Sequence, residues 1–211
     1  YSLREVGRWP WDRRVHAQII KQLEKQGARA VLMDLILSEP DRARPESDQA
    51  LVDAIREAGH VYLPVHVEQL RSGGQLIEVL PHANFARAAK GLGHVDLELD
   101  GDGVARSVFM RSGIGQPWWP HITQALLEGE GLISTDSYPA GNEGAFAGLA
   151  NVCKYPRYIP FAGGAGTYPQ VPAVDLLQGR VPPQLLPVQL ACIASDAAPP
   201  AHLPHPPLPT R

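Results

Sequence analysis

Cysteine is scarce: Cys153 and Cys192 are the only two, and neither has a CxxC partner or a pair of histidines at zinc spacing. One disulfide is the most they can form, which excludes a disulfide framework and a cysteine-based zinc site. Charge of one sign is lacking too, since 19 Lys and Arg stand against 22 Asp and Glu, a formal charge of −3, with no basic block. A phosphate-neutralising face is thereby disfavoured, and nucleic acid is not an expected partner. Long apolar runs are also missing. The most apolar windows, 28–37 and 185–194, are interrupted by Asp34 and by Pro187 and Gln189, and both fall short of the ~20 residues that span a bilayer. The chain opens on Tyr1 with no charged-then-apolar signal, so it reads as a piece of something longer.

What is present suffices for a core: 44% of the 211 residues are hydrophobic, enough for one ordinary domain or two small ones. The 20 glycines and 21 prolines exceed the roughly 12% usual for the two together and point to long loops or an irregular tail. Val15, Ile19 and Leu23 recur at four-residue spacing after Pro10 and Asp12, with Gly27 where a left-handed cap residue belongs, which predicts an amphipathic helix. Residues 28–37 then read as a strand buried on both faces, as in a parallel sheet. Leu51, Ile55 and Ala58 mark a second helix ending at Gly59, and 60–67 a second strand.

A turn at 72–74 leads to an extended piece at 75–80 and a short helix capped by Asn84. Residues 92–97 and 104–110 flank Asp100-Gly101-Asp102-Gly103, which favours a hairpin reversal. A helix with Ile122, Ala125 and Leu126 ends near Gly129, and 129–149 is Gly-rich and weakly patterned. A strand at 152–155 and a short helix with Val174, Leu176 and Leu177, stopped by Gly179, complete the regular part. The fold class is therefore α/β, a mixed and mostly parallel sheet flanked by helices with an antiparallel hairpin. Six prolines fall in 199–211, and 197–211 is predicted to be disordered or loosely draped.

Signatures of catalysis fail one by one. No GxGxxG follows a strand, and Gly163-Gly164-Ala165-Gly166 lacks the Lys-Ser/Thr pair of a phosphate loop, so it reads as a mobile loop. Asp96, Glu98, Asp100 and Gly101 imitate a calcium loop, but its twelfth position is Ser107 where a glutamate belongs. No GxSxG elbow occurs. The eight histidines are scattered, among them His16, His60, His66, His94 and His121. Neither catalytic residues, metal ligands nor a cofactor are assigned.

Two features exceed background. Asp34 interrupts the most apolar strand near its C-terminal half, where an open parallel sheet places its ligand crevice, and a buried carboxylate there needs a partner. Either it ties down a neighbouring loop or pairs with Arg8 or Arg13, or it contacts a ligand or cation. A ligand site would then be bounded by Asp34, the loop carrying Glu39, and the helix entrance with Arg8 and Asp12. All four tryptophans flank two helix entrances, in Arg8-Trp9-Pro10-Trp11 and Pro117-Trp118-Trp119-Pro120, as staples to the sheet or as a platform for a ligand or partner.

Arg8-Trp9-Pro10-Trp11-Asp12-Arg13-Arg14 with His16, Gly27-Ala28-Arg29-Ala30-Val31 with Asp34, and Ser38-Glu39-Pro40-Asp41 follow in an order that resembles the second type of CHASE domain, the cyclases/histidine kinases associated sensory extracellular domain. Ala58-Gly59-His60-Val61-Tyr62-Leu63-Pro64, Leu92-Gly93-His94-Val95-Asp96, Asp100-Gly101-Asp102-Gly103-Val104-Ala105-Arg106 and Asp175-Leu176-Leu177-Gln178-Gly179-Arg180-Val181-Pro182 continue it. The resemblance spans 1–186. The family pattern has an apolar strand before Tyr1 and another after Leu186, and without them sheet edges would lie uncovered. Residues 187–211 depart from that pattern and are predicted to be a Pro-rich, disordered or aberrant tail.

The resemblance implies a periplasmic sensory domain of a bacterial inner-membrane receptor, without catalytic residues of its own. The signal would be an unidentified small molecule or environmental cue. The output would be a cytoplasmic adenylate cyclase, diguanylate cyclase or histidine kinase in the same full-length chain, and a homodimer is compatible with this arrangement. Two other readings stand beside it: a small α/β enzyme or nucleotide-binding domain using Asp34 at the sheet crevice, and a structural dimerisation module.

Overall fold

The computed structural model describes residues 9–69, 74–139, 150–164, 166–181 and 190–194. Asp12 starts helix α1 (Arg13–Lys25) by accepting the Arg14 backbone N–H at 2.8 Å, one of the amide groups that a helix N-terminus leaves free. Gly27 ends it at φ +81°, a left-handed conformation that a side chain would strain. Strand β1 (Ala30–Asp34) follows, then α2 (Pro45–Ala58), with Pro45 in the first turn, and β2 (Val61–Gln69). Next come β3 (Leu76–Val79), α3 (Ala83–Ala88) and β4 (Gly91–His94). The chain continues through β5 (Ser107–Ile114), β6 (Trp119–Pro120), α4 (Ile122–Gly129), β7 (Asn151–Tyr158), α5 (Ala173–Leu177) and β8 (Leu190–Ala194).

The main sheet runs β3-β2-β1-β8, with β4 also paired to β2. The pairs β1–β2, β1–β8 and β2–β4 are parallel and β2–β3 is antiparallel, so the sheet is mixed and mostly parallel, as the sequence predicts. A second, antiparallel sheet runs β6-β5-β7.

Side chains alternate across a strand, and that period splits the core in two. Val31, Met33, Val61 and Leu63 are fully buried on one face, against Ile19, Ile20 and Leu23 of α1, Leu51 and Ile55 of α2, Phe85 of α3 and Leu176 of α5. Ala30 and Tyr62 point the other way, onto Ile122 and Leu126 of α4. Helices thus cover both faces, which is what continuous apolar strands require.

Three expectations are corrected. The stretch 187–211 contains a strand: Leu190–Ala194 pairs with β1 from Ala30↔Leu190 to Asp34↔Ala194, supplying backbone partners to an edge of the most apolar strand. Expectations for 197–211, for 140–149 and for 72–73 lie outside the described residues. The hairpin around Asp100–Gly103 shrinks to a tight turn and one bridge, Glu98↔Ser107. Its flanks separate because β4 joins β2 in the main sheet while β5 pairs with β6 and β7 in the second. At α3 the N-cap is His82, not Asn84.

Candidate functional site

Asp34 is the last residue of β1, where the strand leaves the sheet, and its side chain is exposed. The buried carboxylate that the sequence implied is therefore corrected to an accessible one. Partial burial still desolvates it enough to raise its pKa. Among the described residues it has no hydrogen bond or ion pair. Arg13 lies instead 3.5 Å from Asp48, and Arg8 is outside the described residues.

Asp12 is spent at the N-termini of α1 and α2. It accepts from Arg14 Nη2 at 2.8 Å, from Arg44 Nη1 at 3.1 Å and from Ser47 Oγ. The hydrogen bonds from Arg14, then that from Ser47, hold its carboxyl far below the usual range. Glu39 is exposed. No contact among the described residues joins Asp34, Asp12 and Glu39. Trp11 packs against the core and, with Trp9, rings His16 at 6.0 and 5.7 Å, while Trp118 is exposed.

A cavity of about 270 Å³ opens elsewhere, at the C-terminal end of β4, lined by His94, Asp96, Glu98, Phe109, Ser112 and Cys153 together with Leu97 and Asn151. It lies between the main sheet, through β4, and the second sheet, through β5 and β7. The end of a parallel strand is where loops diverge, and this cavity lies at the end of β4, whereas the sequence had suggested the end of β1. Gly93 makes the arrangement possible: a Cβ there would lie 2.5 Å from the Cα of Ile122. Only a residue without a side chain lets β4 run against the start of α4. His121 then caps α4, donates its backbone N–H to the Met110 carbonyl at 2.8 Å, and sets its ring edge-on to His94 at 5.2 Å.

His94 is 1% exposed, and both its ring nitrogens lack a hydrogen bond among the described residues. Burial is the main cause that pushes its pKa down to about 4, aided by His121 and opposed by Asp96 and by the Phe109 backbone, which stands near without ordinary hydrogen-bond geometry. The imidazole is therefore neutral at pH 7. Asp96 uses one oxygen fully: Oδ1 meets His66 Nδ1 at 2.8 Å and accepts the Val67 N–H at 3.0 Å. Its Oδ2 is buried without a partner among the described residues, 3.9 Å from His94 Nδ1. An unpaired buried polar atom costs on the order of 1–3 kcal/mol, so three of them on two neighbouring side chains, His94 Nδ1 and Nε2 and Asp96 Oδ2, are unusual.

A second polar cluster gives the contrast. Tyr62 Oη donates to Glu130 Oε1 at 2.9 Å, Lys90 Nζ donates to the same oxygen at 2.7 Å, and Arg29 donates to the Glu130 carbonyl at 2.8 Å. Burial raises the Glu130 pKa, but the bonds from Lys90 and Tyr62 and the charges of Lys90 and Arg29 together hold it below the ordinary value. That cluster is satisfied and ties β2 to the end of α4.

Reading the sequence missed His94 and Asp96 as a pair, having placed them among scattered histidines and an imitation calcium loop. Their signal was the spacing in His94-Val95-Asp96, which sends alternate side chains to one side of an extended chain.

The model of the CHASE2 domain matches residues 1–197. The chain belongs to the CHASE2 family. CHASE2 domains are extracellular sensory modules of signalling receptors. The match takes in every element from α1 to β8, so both the cavity and β8 lie within the CHASE2 domain. No curated protein and no solved structure matches the chain. Among the described residues, no helix is long and apolar enough to cross a membrane, and no three His, Cys, Asp or Glu side chains converge as metal ligands.

Proposed function

We propose that this CHASE2 domain is the periplasmic sensor of a bacterial transmembrane receptor and that it recognises its signal without transforming it. Its output would be a cytoplasmic adenylate cyclase, diguanylate cyclase or histidine kinase in the same full-length chain. The observation that carries this reading is the family match over 1–197. The chemistry of the cavity supports recognition over catalysis. Burial raises the Cys153 thiol's pKa, the reverse of an activated nucleophile, and His94 has no hydroxyl or thiol within hydrogen-bond reach to deprotonate.

The test uses the full-length receptor in its membrane. Alkaline phosphatase, active only outside the cytoplasm, is fused after Ala194, and the output enzyme is assayed with and without Asp96→Asn. An active fusion together with an output changed by the substitution is the expected result. An inactive fusion, or an output indifferent to the cavity, would sink the reading.

A further inference from the structure

The second sheet meets the main one along a seam of histidines. Strand β6 leaves the second sheet at His121, whose backbone N–H donates to the Met110 carbonyl of β5, and α4 then packs on the main sheet. His94, the last residue of β4, lies across the seam, bridged to His121 through the backbone and with its ring edge-on to that of His121 at 5.2 Å. His66 of β2 completes the group, its Nδ1 2.8 Å from Asp96 Oδ1. One carboxylate thus serves three imidazoles.

The groups around His94 decide whether its ring can take a proton in place. Asp96 Oδ2, 3.9 Å from Nδ1, favours the charged ring, as does the Phe109 backbone of β5. His121 and Arg111 oppose it, and burial opposes it most, because the ring is 1% exposed and both nitrogens are buried. Burial lowers the His121 pKa as well, again against the charge of Asp96. Glu98 and Cys153 line the cavity beyond, and burial keeps the thiol neutral. The ring therefore takes a proton readily only when the seam opens, and it then does so near its ordinary pKa of 6.5, not near 4. The seam is fully stable above about pH 6.5, and acid favours its opening as pH falls from there towards 4.

The second sheet is the part free to yield. Most of β5 is only half-buried and β7 is half-buried to exposed. Among the described residues, neither cluster of the hydrophobic core contains a residue of β5, β6 or β7. Elements with so little buried apolar surface open at lower cost than the main sheet. His16, equally buried, lies instead on α1, whose buried face forms the main core, so its protonation acts on the whole fold.

We propose that this seam is an acid-released joint: protonation of His94 detaches the second sheet while the main sheet stays folded. The inference rests on the sensory reading of the domain and names external acidity as what it responds to.

Hydrogen exchange of the full chain is followed at about pH 7 and about pH 5, each rate corrected for intrinsic exchange, in the wild type and in His94→Leu. Leucine cannot titrate and leaves no ring nitrogen unpaired. In the wild type, amides of β5 and β7 should open more readily than those of β1 and β2 and lose at least tenfold in protection on acidification. In His94→Leu that loss should shrink several-fold, while β1 and β2, which also answer to His16, keep a pH dependence. If the variant fails to fold, the His94 ring resonance in the wild type serves, because its titration and the loss of β5 protection should share one midpoint. Equal protection of the two sheets at both pH values, a loss in β5 and β7 undiminished by the substitution, or two separate midpoints would overturn the joint. Output of the full-length receptor should shift over the same interval, and an output indifferent to pH would overturn acidity as the signal. An inactive phosphatase fusion, by contrast, removes the receptor reading and leaves the exchange result standing.

Discussion

His16 and His94 are 2% and 1% exposed, and burial is the chief cause that holds each near pKa 4 against an ordinary 6.5. Between those two values the unfolded chain binds protons that the folded chain refuses. Stability is therefore full above about pH 6.5 and falls as pH drops towards 4. At ~1.4 kcal/mol per pH unit, each histidine contributes a loss on the order of 3 kcal/mol across that window. Urea denaturation from pH 7.5 to 4.5 should show the decline, and a flat profile would place both imidazoles in water. Asp34 behaves oppositely. It is accessible, without a partner among the described residues, and its raised pKa means that folding disfavours its charge. Asp34→Asn is expected to leave stability within ~0.5 kcal/mol or raise it slightly. A loss of 2 kcal/mol in chemical denaturation would restore it as a structural anchor.

At the scale of elements, β4 decides more than its four residues suggest. It pairs in parallel with β2, and Gly93 brings its backbone against α4, the approach that sets His94 beside His121. In Gly93→Ala the added carbon would meet the Ile122 and Pro120 backbone, which cannot rotate aside as a side chain does. A cost of ~1–3 kcal/mol is expected, read as a lower denaturation midpoint at unchanged slope. Unchanged stability would mean that α4 yields freely. The turn at Asp100–Gly103 formed as its residues demanded, with Arg106 bonded to Asp100 and Asp102, yet the strands on either side went to different sheets. Turn chemistry is local, whereas strand pairing is settled by which apolar faces need covering.

For the whole molecule, the main sheet is completed by its last described strand. β8 lies along β1 over five residue pairs, and Ala191 and Ile193 pack against the core. Ending the chain after Gln189 strips those backbone partners and that apolar cover. A loss on the order of 3–5 kcal/mol is expected from the hydrogen bonds and buried area together. Ending it after Asp196 keeps β8 and should leave the urea midpoint unchanged. Equal midpoints for the two truncated chains would show β8 to be dispensable.

Periodicity and caps in the sequence determined the helices from α1 to α5, the buried pair β1 and β2 and the α/β class, because amphipathic spacing and residues such as Asp12, Gly27 and Gly59 act over a few neighbours. Ordered motifs also determined the family. Tertiary structure alone decided that Leu190–Ala194 would pair with a strand some 160 positions earlier, that Asp34 would emerge into solvent, and that His94, Asp96, Phe109, Ser112 and Cys153 would face one cavity. The spacing of His94 and Asp96 is local, but bringing them together with Phe109, Ser112 and Cys153 turns on contacts between residues far apart in the chain, as does the pairing of β8 with β1.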